Sequence, residues 1–396
     1  MSIDEVDLAQ RYMFSVDVIK HLKKIYNEKI EEVLKALKNP GSRYYIRVNT
    51  LKSEPKLIIE RLGRKGVNAY QHRVLREAIF TPIIGPLKIP EYPRKVVVDK
   101  KTAESVLLGA NVYAPGVNKC EKLKKSENVQ IVDEYGQPVG SGISRMSENE
   151  ILKFRRGLAI EVTQPKFRTL SIRDSEEFNE GLIYPQSFPA MVTSRVLEPE
   201  PGETVVDLNC SPGGKLTHIS QLMNNTGRII GVDRNNLKIS AAHETVTRLG
   251  CRNIELISHD ARYLDVDYPK IRADKCLVDP PCSALGVIPK LYEYASNAEI
   301  IMLSNYQKHF LKVASKIVKK GGIIVYSVCT ITLEECEEVV KFGVEECGLE
   351  IEKQQEKFFF GSKGINKNLE EASLTQRFHP HLHGAGYFIA RFKKTS

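Results

Sequence analysis

Apolar positions near the start of the chain recur at helical spacing: Val18, Ile19, Leu22, Ile25, Tyr26, Ile30, Val33, Leu34 and Leu37 share one face, and the run ends at Asn39-Pro40-Gly41. Such a stripe predicts helix packed on a core. Tyr44-Tyr-Ile-Arg-Val-Asn-Thr-Leu-Lys52 then reads as a strand leaving into a helix. From Arg94 onward the apolar runs shorten. Lys95-Val-Val-Val-Asp99, Val129 to Asp133 and Gly157 to Val162 read as short strands, and Lys101 to Leu108 as an amphipathic turn of helix. Gly109-Ala-Asn-Val-Tyr-Ala-Pro-Gly-Val117 is a strand with a tight turn, and Tyr135-Gly-Gln-Pro-Val-Gly-Ser-Gly142 separates its neighbours. The pattern predicts a small β-rich module.

After residue 200 the rhythm changes to strand and helix in alternation. Glu203-Thr-Val-Val-Asp-Leu-Asn209 reads as a strand, and Cys210-Ser-Pro-Gly-Gly-Lys-Leu-Thr-His218 opens a helix through a tight loop. Further strands are predicted at Gly227 to Asp233, Ile254 to Ser258, Lys275 to Val278 and Ile323 to Val328, with an antiparallel closing strand at Tyr387 to Phe392. Alternation of this kind predicts an α/β fold with a mostly parallel, doubly wound, Rossmann-like sheet. The expected division is 1–93 for an N-terminal α/β region, 94–167 for the β-rich insert and 168–396 for the doubly wound domain.

The strand ends carry the candidate chemistry. A glycine turn after the first strand lets a cofactor approach the backbone and the first turn of the helix. Asp233 follows the second strand at the distance suited to ribose hydroxyls, and Asp260 follows the third, where it can face an adenine amine. Singly, each is an ordinary loop carboxylate; together they outline a nucleoside-shaped site. Dehydrogenases share that much. What separates the two classes is Asp279-Pro-Pro-Cys282, with Cys329 in Tyr326-Ser-Val-Cys-Thr330 47 positions later.

A hydride-transfer enzyme has no use for those thiols, but a pyrimidine methyltransferase does. Carbon 5 of cytosine becomes nucleophilic only after a thiolate adds at carbon 6. A carboxylate at ring nitrogen 3 and the exocyclic amine steadies the charge that develops, a task for Asp279. Free cysteines are usually small core residues. These two follow apolar runs at the carboxyl ends of predicted strands, where open α/β sheets bind ligands.

Residues 181 to 393 resemble the RsmB/Sun family of RNA (cytosine-5) methyltransferases. The resemblance rests on Gly181-Leu-Ile-Tyr-Pro-Gln186, Glu198 to Gly202, the glycine loop, Val232-Asp233, His259-Asp260-Ala261, Asp279 to Cys282, Ser327 to Thr330 and Arg377-Phe-His-Pro-His381, all in the family's order. It implies Cys329 as the nucleophile and Cys282 as the group that helps release the product. S-adenosylmethionine is the implied methyl donor, held by Asn209, Cys210, Ser211, Pro212, Gly213, Gly214, Lys215, Asp233, Asp260 and Asp279, with Lys215 serving the donor carboxylate or the reaction centre. Leu-Asn-Cys-Ser-Pro, Cys-Ser-Ala-Leu-Gly and Val-Cys-Thr depart from the family's commoner letters, yet every reacting group is present. Arg-Val-Asn-Thr at 47–50 resembles the family's amino-terminal RNA-binding domain, and the 94–167 insert resembles a PUA module, a binder of structured RNA. Within the family this pairing implies a cytosine at position 72 of a tRNA acceptor stem, near the CCA end. The alternatives are an rRNA cytosine of the same chemistry and a non-catalytic RNA-binding protein.

Composition agrees with an RNA enzyme. The net charge is +9, and Arg94 to Arg168 holds 14 Lys and Arg against 9 Asp and Glu, a local excess suited to phosphate. No apolar run approaches the eighteen or so residues of a membrane helix, and Met1-Ser-Ile-Asp-Glu-Val-Asp7 has no signal core, so a cytoplasmic monomer is expected. Eight cysteines without a C-x-x-C pair suggest neither a disulfide framework nor zinc. Alternating His379, His381 and His383 sit in the family's closing segment, so no metal is expected there. Glu334-Glu-Cys-Glu-Glu338 reads as a helix start whose acids complement the dipole, leaving Cys336 and Cys347 structural.

Overall fold

Among residues 4–365 and 369–395, which the computed structural model describes, the strands collect in three sheets. The largest runs in the order Ile254–Ser258, Arg228–Asp233, Thr204–Asp207, Ala273–Val278, Val318–Val328, Tyr387–Lys394, Gln376–Phe378, Ser362–Lys363. Its first five strands are parallel, and Tyr387–Lys394 closes the row antiparallel to Val318–Val328. Both faces are covered, so successive residues of one strand are all apolar. Val206, Ile230, Ile324 and Ala390 enter one core, while Val205, Ile229, Val325 and Ile389 enter the other. Chain order reverses between Thr204–Asp207 and Ala273–Val278, and the carboxyl ends of those two strands frame a crevice.

A second sheet, antiparallel, has the order Ile183–Pro185, Arg43–Val48, Ala78–Pro82, Tyr70–Gln71 and carries the helix Pro55–Arg64. Ile46, Val48, Ile58, Leu62 and Ile183 form its core. Its outer strand Ile183–Pro185 comes from beyond the β-rich insert, so the chain leaves this sheet, builds the insert and returns to it. Exit and re-entry touch: Ile84 and Arg168 pair as an antiparallel bridge. The insert is a six-stranded sheet over Lys95 to Pro165, with the helix Lys100–Val106 where an amphipathic turn is expected. Its core borrows Leu291 and Tyr292 from the doubly wound domain.

The amphipathic stripe near the start forms two helices, Val16–Tyr26 and Ile30–Leu37, separated by a short 3₁₀ turn. Asn27, with φ of 45°, breaks the first; Asn tolerates positive φ better than most residues. These helices bury their face against Leu285, Ile300 and Ile331 of the large domain rather than on the neighbouring small sheet. Residues 1–3, the start of the acidic Met1 to Asp7 run, lie outside the described residues.

The acids at 334–338 lead into a helix as expected, with Glu337 and Glu338 in its first turn. The helix begins at Glu337, and Glu334, Glu335 and Glu337 are buried side chains with specific partners. Glu334 meets His21 Nδ1 at 2.9 Å and Lys24 Nζ at 2.6 Å. Glu337 pairs with buried Arg377, whose Nη1 also donates to the Ile331 carbonyl. Burial thus adds specific partners to the dipole role: Glu334 meets the helix Val16–Tyr26, and Glu337 the strand Gln376–Phe378.

Candidate active site

The site is assembled where parallel strands end side by side. Val278 is in register with Tyr326, which sets Asp279 beside Ser327 and brings both cysteine loops to one rim. The sulfurs of Cys282 and Cys329 are 3.4 Å apart. The Cys329 carbonyl accepts the Gly286 N–H at 3.0 Å, which ties the two loops together.

Asp279 is held on both oxygens. Oδ2 accepts from Lys215 Nζ at 2.6 Å, while Oδ1 accepts from Ser327 Oγ at 2.8 Å and from the Tyr387 hydroxyl at 3.3 Å. Lys215 stands at the second residue of the helix Gly214–Leu222, and its ammonium lies 5.6 Å from the Tyr387 ring centroid. Burial opposes the charge on Lys215, but Asp279 and Tyr387 more than offset it and hold the ammonium above its ordinary range.

A cavity of ≈ 260 Å³ opens beside this carboxylate. It is walled by Asn209, Ser211, Asp233, Asp260, Asp279, Cys282 and Cys329, with Lys238 and Tyr306 at its edge. Three features suit it to a nucleoside-bearing donor. Asn209 Oδ1 is buried without a hydrogen-bond partner, an acceptor waiting for a donor. Asp233 is 8% exposed, accepts the Asn235 N–H at 3.3 Å and keeps room for ribose hydroxyls. Asp260 is gripped by Arg262, which holds it below the usual carboxylate range, and retains lone pairs for an amine.

Other residues expected at the donor shape the loop. Cys210 is 3% exposed, faces the core and has a thiol that burial pushes up. Gly213 has φ of +101°, and a Cβ there would lie 3.2 Å from Thr245. At Gly214 a Cβ would lie 3.0 Å from the Tyr184 ring, so neither position has room for a side chain without a shift. Pro212 follows a cis peptide bond in the same turn.

On the other side of Cys329 lies a larger cleft of ≈ 580 Å³ between the small antiparallel sheet and the large domain. Tyr44, Tyr45, Gln186, Phe188 and Tyr387 line it. Cys329 therefore borders both spaces, whereas Cys282 and Asp279 border the smaller one. The thiols are also unlike in charge. A hydrogen bond from Cys282, helped by nearby Lys215, draws the Cys329 thiol below its ordinary range against the effects of burial and Asp279. The same bond, with burial and the charge of Glu335, pushes Cys282 up. The pair thus favours a thiolate on Cys329 and a proton on Cys282, suiting attack by the first and proton handling by the second.

Sequence reading missed Tyr387 as a partner of Asp279, and Glu335. Ser327 lay inside a quoted motif without a role of its own. His379 Nδ1 meets the Tyr26 hydroxyl at 2.9 Å, and His383 Nδ1 accepts the His379 N–H, so both serve packing. Cys336 is fully buried in the core, and Cys347 packs against it. Among the described residues no group of three or more His, Cys, Asp or Glu is arranged to hold a metal, and no helix is long and apolar enough to cross a membrane.

Comparison with known proteins adds matches to family models, to relatives and to a solved structure. A family model described as 16S rRNA methyltransferase RsmB/F matches residues 194–393, a PUA domain model matches 94–165, and an RsmF/B-like ferredoxin-like domain model matches 18–81. The tRNA (cytosine(72)-C(5))-methyltransferase of Pyrococcus horikoshii is 40% identical over 98% of this chain and 99% of its own. The tRNA (cytosine(72)-C(5))-methyltransferase NSUN6 of Mus musculus is 30% identical over 89% of this chain and 82% of its own. The crystal structure of NSun6 from Pyrococcus horikoshii with SFG, a S-adenosylmethionine analogue, matches with a TM-score of 0.87 at 40% identity, over 97% of this chain and 99% of that one.

Proposed function

Because the chain belongs to the RsmB/F family of methyltransferases, we propose that it methylates carbon 5 of a cytosine in tRNA, at position 72 of the acceptor stem. S-adenosylmethionine, its methyl donor, supplies an electrophilic methyl group. Asn209, Ser211, Asp233 and Asp260 would hold the donor in the smaller cavity, and the base would enter through the larger cleft as far as the shared wall at Cys329, to meet Asp279 and Cys282 from there.

One observation carries the reading: Cys329 sits on the wall shared by the two spaces, 3.4 Å from the second thiol. In this role the Cys329 thiolate bonds to carbon 6 of the cytosine, and carbon 5 becomes electron-rich. Asp279, fixed by Lys215, Ser327 and Tyr387, holds the ring at nitrogen 3 and the amine. After methylation, the carbon 5 proton passes to water in the cleft, the carbon 6–sulfur bond breaks and Cys329 departs as thiolate, with Cys282 assisting that elimination.

The base must leave its stack to reach Cys329, at a cost of a few kcal/mol, and a pair close to a helix end opens most cheaply. The basic insert and the small sheet give flanking surfaces for the stem and the CCA end. Every group named comes from one chain, so a monomer suffices. Incubation with labelled methyl donor and total tRNA, followed by mapping of the modified base, tests the proposal. Methylation at another tRNA position or only in rRNA transcripts would overturn the site, and no incorporation in either would overturn the reading.

A further inference from the structure

A buried carboxylate joins the two cysteine loops from behind. Glu335 is fully buried and accepts from the Ser283 N–H at 2.8 Å, the Ser283 hydroxyl at 2.5 Å, the Thr330 hydroxyl at 3.2 Å and the Thr332 hydroxyl at 3.0 Å. Ser283 immediately follows Cys282, and Thr330 immediately follows Cys329; their hydroxyls are 2.6 Å apart. Gln307 completes the set. Its Nε2 lies 3.0 Å from Glu335 and 3.1 Å from the Pro281 carbonyl, while its Oε1 accepts the Tyr326 hydroxyl at 3.0 Å. Polar partners thus converge on the two carboxylate oxygens from residues 283, 307, 330 and 332.

We propose that Glu335 is a positioning residue for methyl transfer: it clamps the chain segments that follow both cysteines and sets a carboxylate behind the Cys282 loop. This inference rests on Cys329 being the nucleophile. Glu335 borders neither the donor cavity nor the base cleft, so it acts through the sulfurs alone. Its charge is among the influences that keep the Cys282 thiol up. A glutamine in its place would keep the shape but turn an amide NH₂ toward a cluster of donors and remove the charge. An aspartate would keep the charge and shorten the reach.

The test compares the two sulfurs directly, without RNA. The folded protein is treated briefly with iodoacetamide, and peptide mass spectrometry reads the rate at each cysteine. The wild type is expected to modify Cys329 about tenfold faster than Cys282, because the thiolate is the reactive form. In Glu335→Gln the ratio should fall to about one, with donor affinity retained. In Glu335→Asp the preference should persist while adduct formation with 5-fluorocytosine RNA slows about tenfold, through misplaced sulfurs. A folded Glu335→Gln protein with the wild-type ratio, or a wild type without preference for Cys329, would overturn the inference. Should Glu335→Gln fail to fold, loss of preference in folded Glu335→Asp would do the same. Since alkylation involves no RNA, a protein that shows the sulfur preference yet methylates no tRNA keeps the Glu335 role and sinks the proposed substrate.

Discussion

Lys215 and Asp279 lie 64 residues apart in sequence and meet across the switch point of the large sheet, Nζ 2.6 Å from Oδ2. The pair links the helix that follows the glycine loop to the Asp-Pro-Pro-Cys loop, so donor site and cysteine pair share one fixed point. Replacing Lys215 by Met leaves the Asp279 carboxylate without its cation and removes a group that favours the Cys329 thiolate. Single-turnover methylation should fall about a hundredfold, as for loss of one preorganised electrostatic partner. Donor affinity, measured by calorimetry, separates this from lost binding.

The two thiols should fail differently. Cys329→Ala is expected to abolish both methyl incorporation and any covalent RNA complex on a denaturing gel. Cys282→Ala should allow that complex to form and accumulate, because elimination is what it lacks. The reverse pattern would exchange their roles.

Adduct formation should depend on pH through Cys329. Its thiol is drawn below the ordinary range by the Cys282 hydrogen bond, so the rate falls as pH drops through that lowered value and is already on its plateau near the free-thiol value of about 8.5. Removing either influence raises the value. The acid limb of adduct formation should therefore move to higher pH in Cys282→Ala and in Lys215→Met, read by quenched-flow gel assay.

A stability prediction follows from Glu334. Burial would raise its carboxyl, but His21 and Lys24 outweigh that and hold it down at about 2. The depressed value means the group stabilises the fold above the unfolded value of about 4.3 and loses that contribution as pH falls toward 2, a difference worth ~3 kcal/mol. Glu334→Gln should lower unfolding free energy in urea by ~3 kcal/mol at pH 7. Variant and wild type should converge as acid titrates the carboxyl away.

Much of this site was legible because its chemistry sits at strand ends. Apolar runs marked the parallel strands, and Asp233, Asp260, Asp279, Cys282 and Cys329 each come just after one. What stayed hidden were contacts that depend on which surfaces meet. Tyr387 is 108 residues from Asp279 and reaches it only because the closing strand pairs with Val318–Val328. Glu335 sits in a run of acids that local rules read as a helix start, while its partners come from three separate segments. An amphipathic stripe says that a helix buries one face, not that it will bury it on Leu285 and Ile331. Ile183–Pro185 is a three-residue strand, too short for any periodicity to reveal its return to the first sheet.

The bridge between Ile84 and Arg168 has an architectural consequence. Because the RNA-binding insert begins and ends at one spot, a few linking residues would span its removal without disturbing the order of any remaining strand. The loss would uncover Leu291 and Tyr292 and leave every sulfur and carboxylate of the reaction where it stands. The insert is thus tethered at one strand crossing and steadied by a second contact, where Glu104 and Glu134 meet Leu291 and Tyr292 and Lys100 meets Glu293.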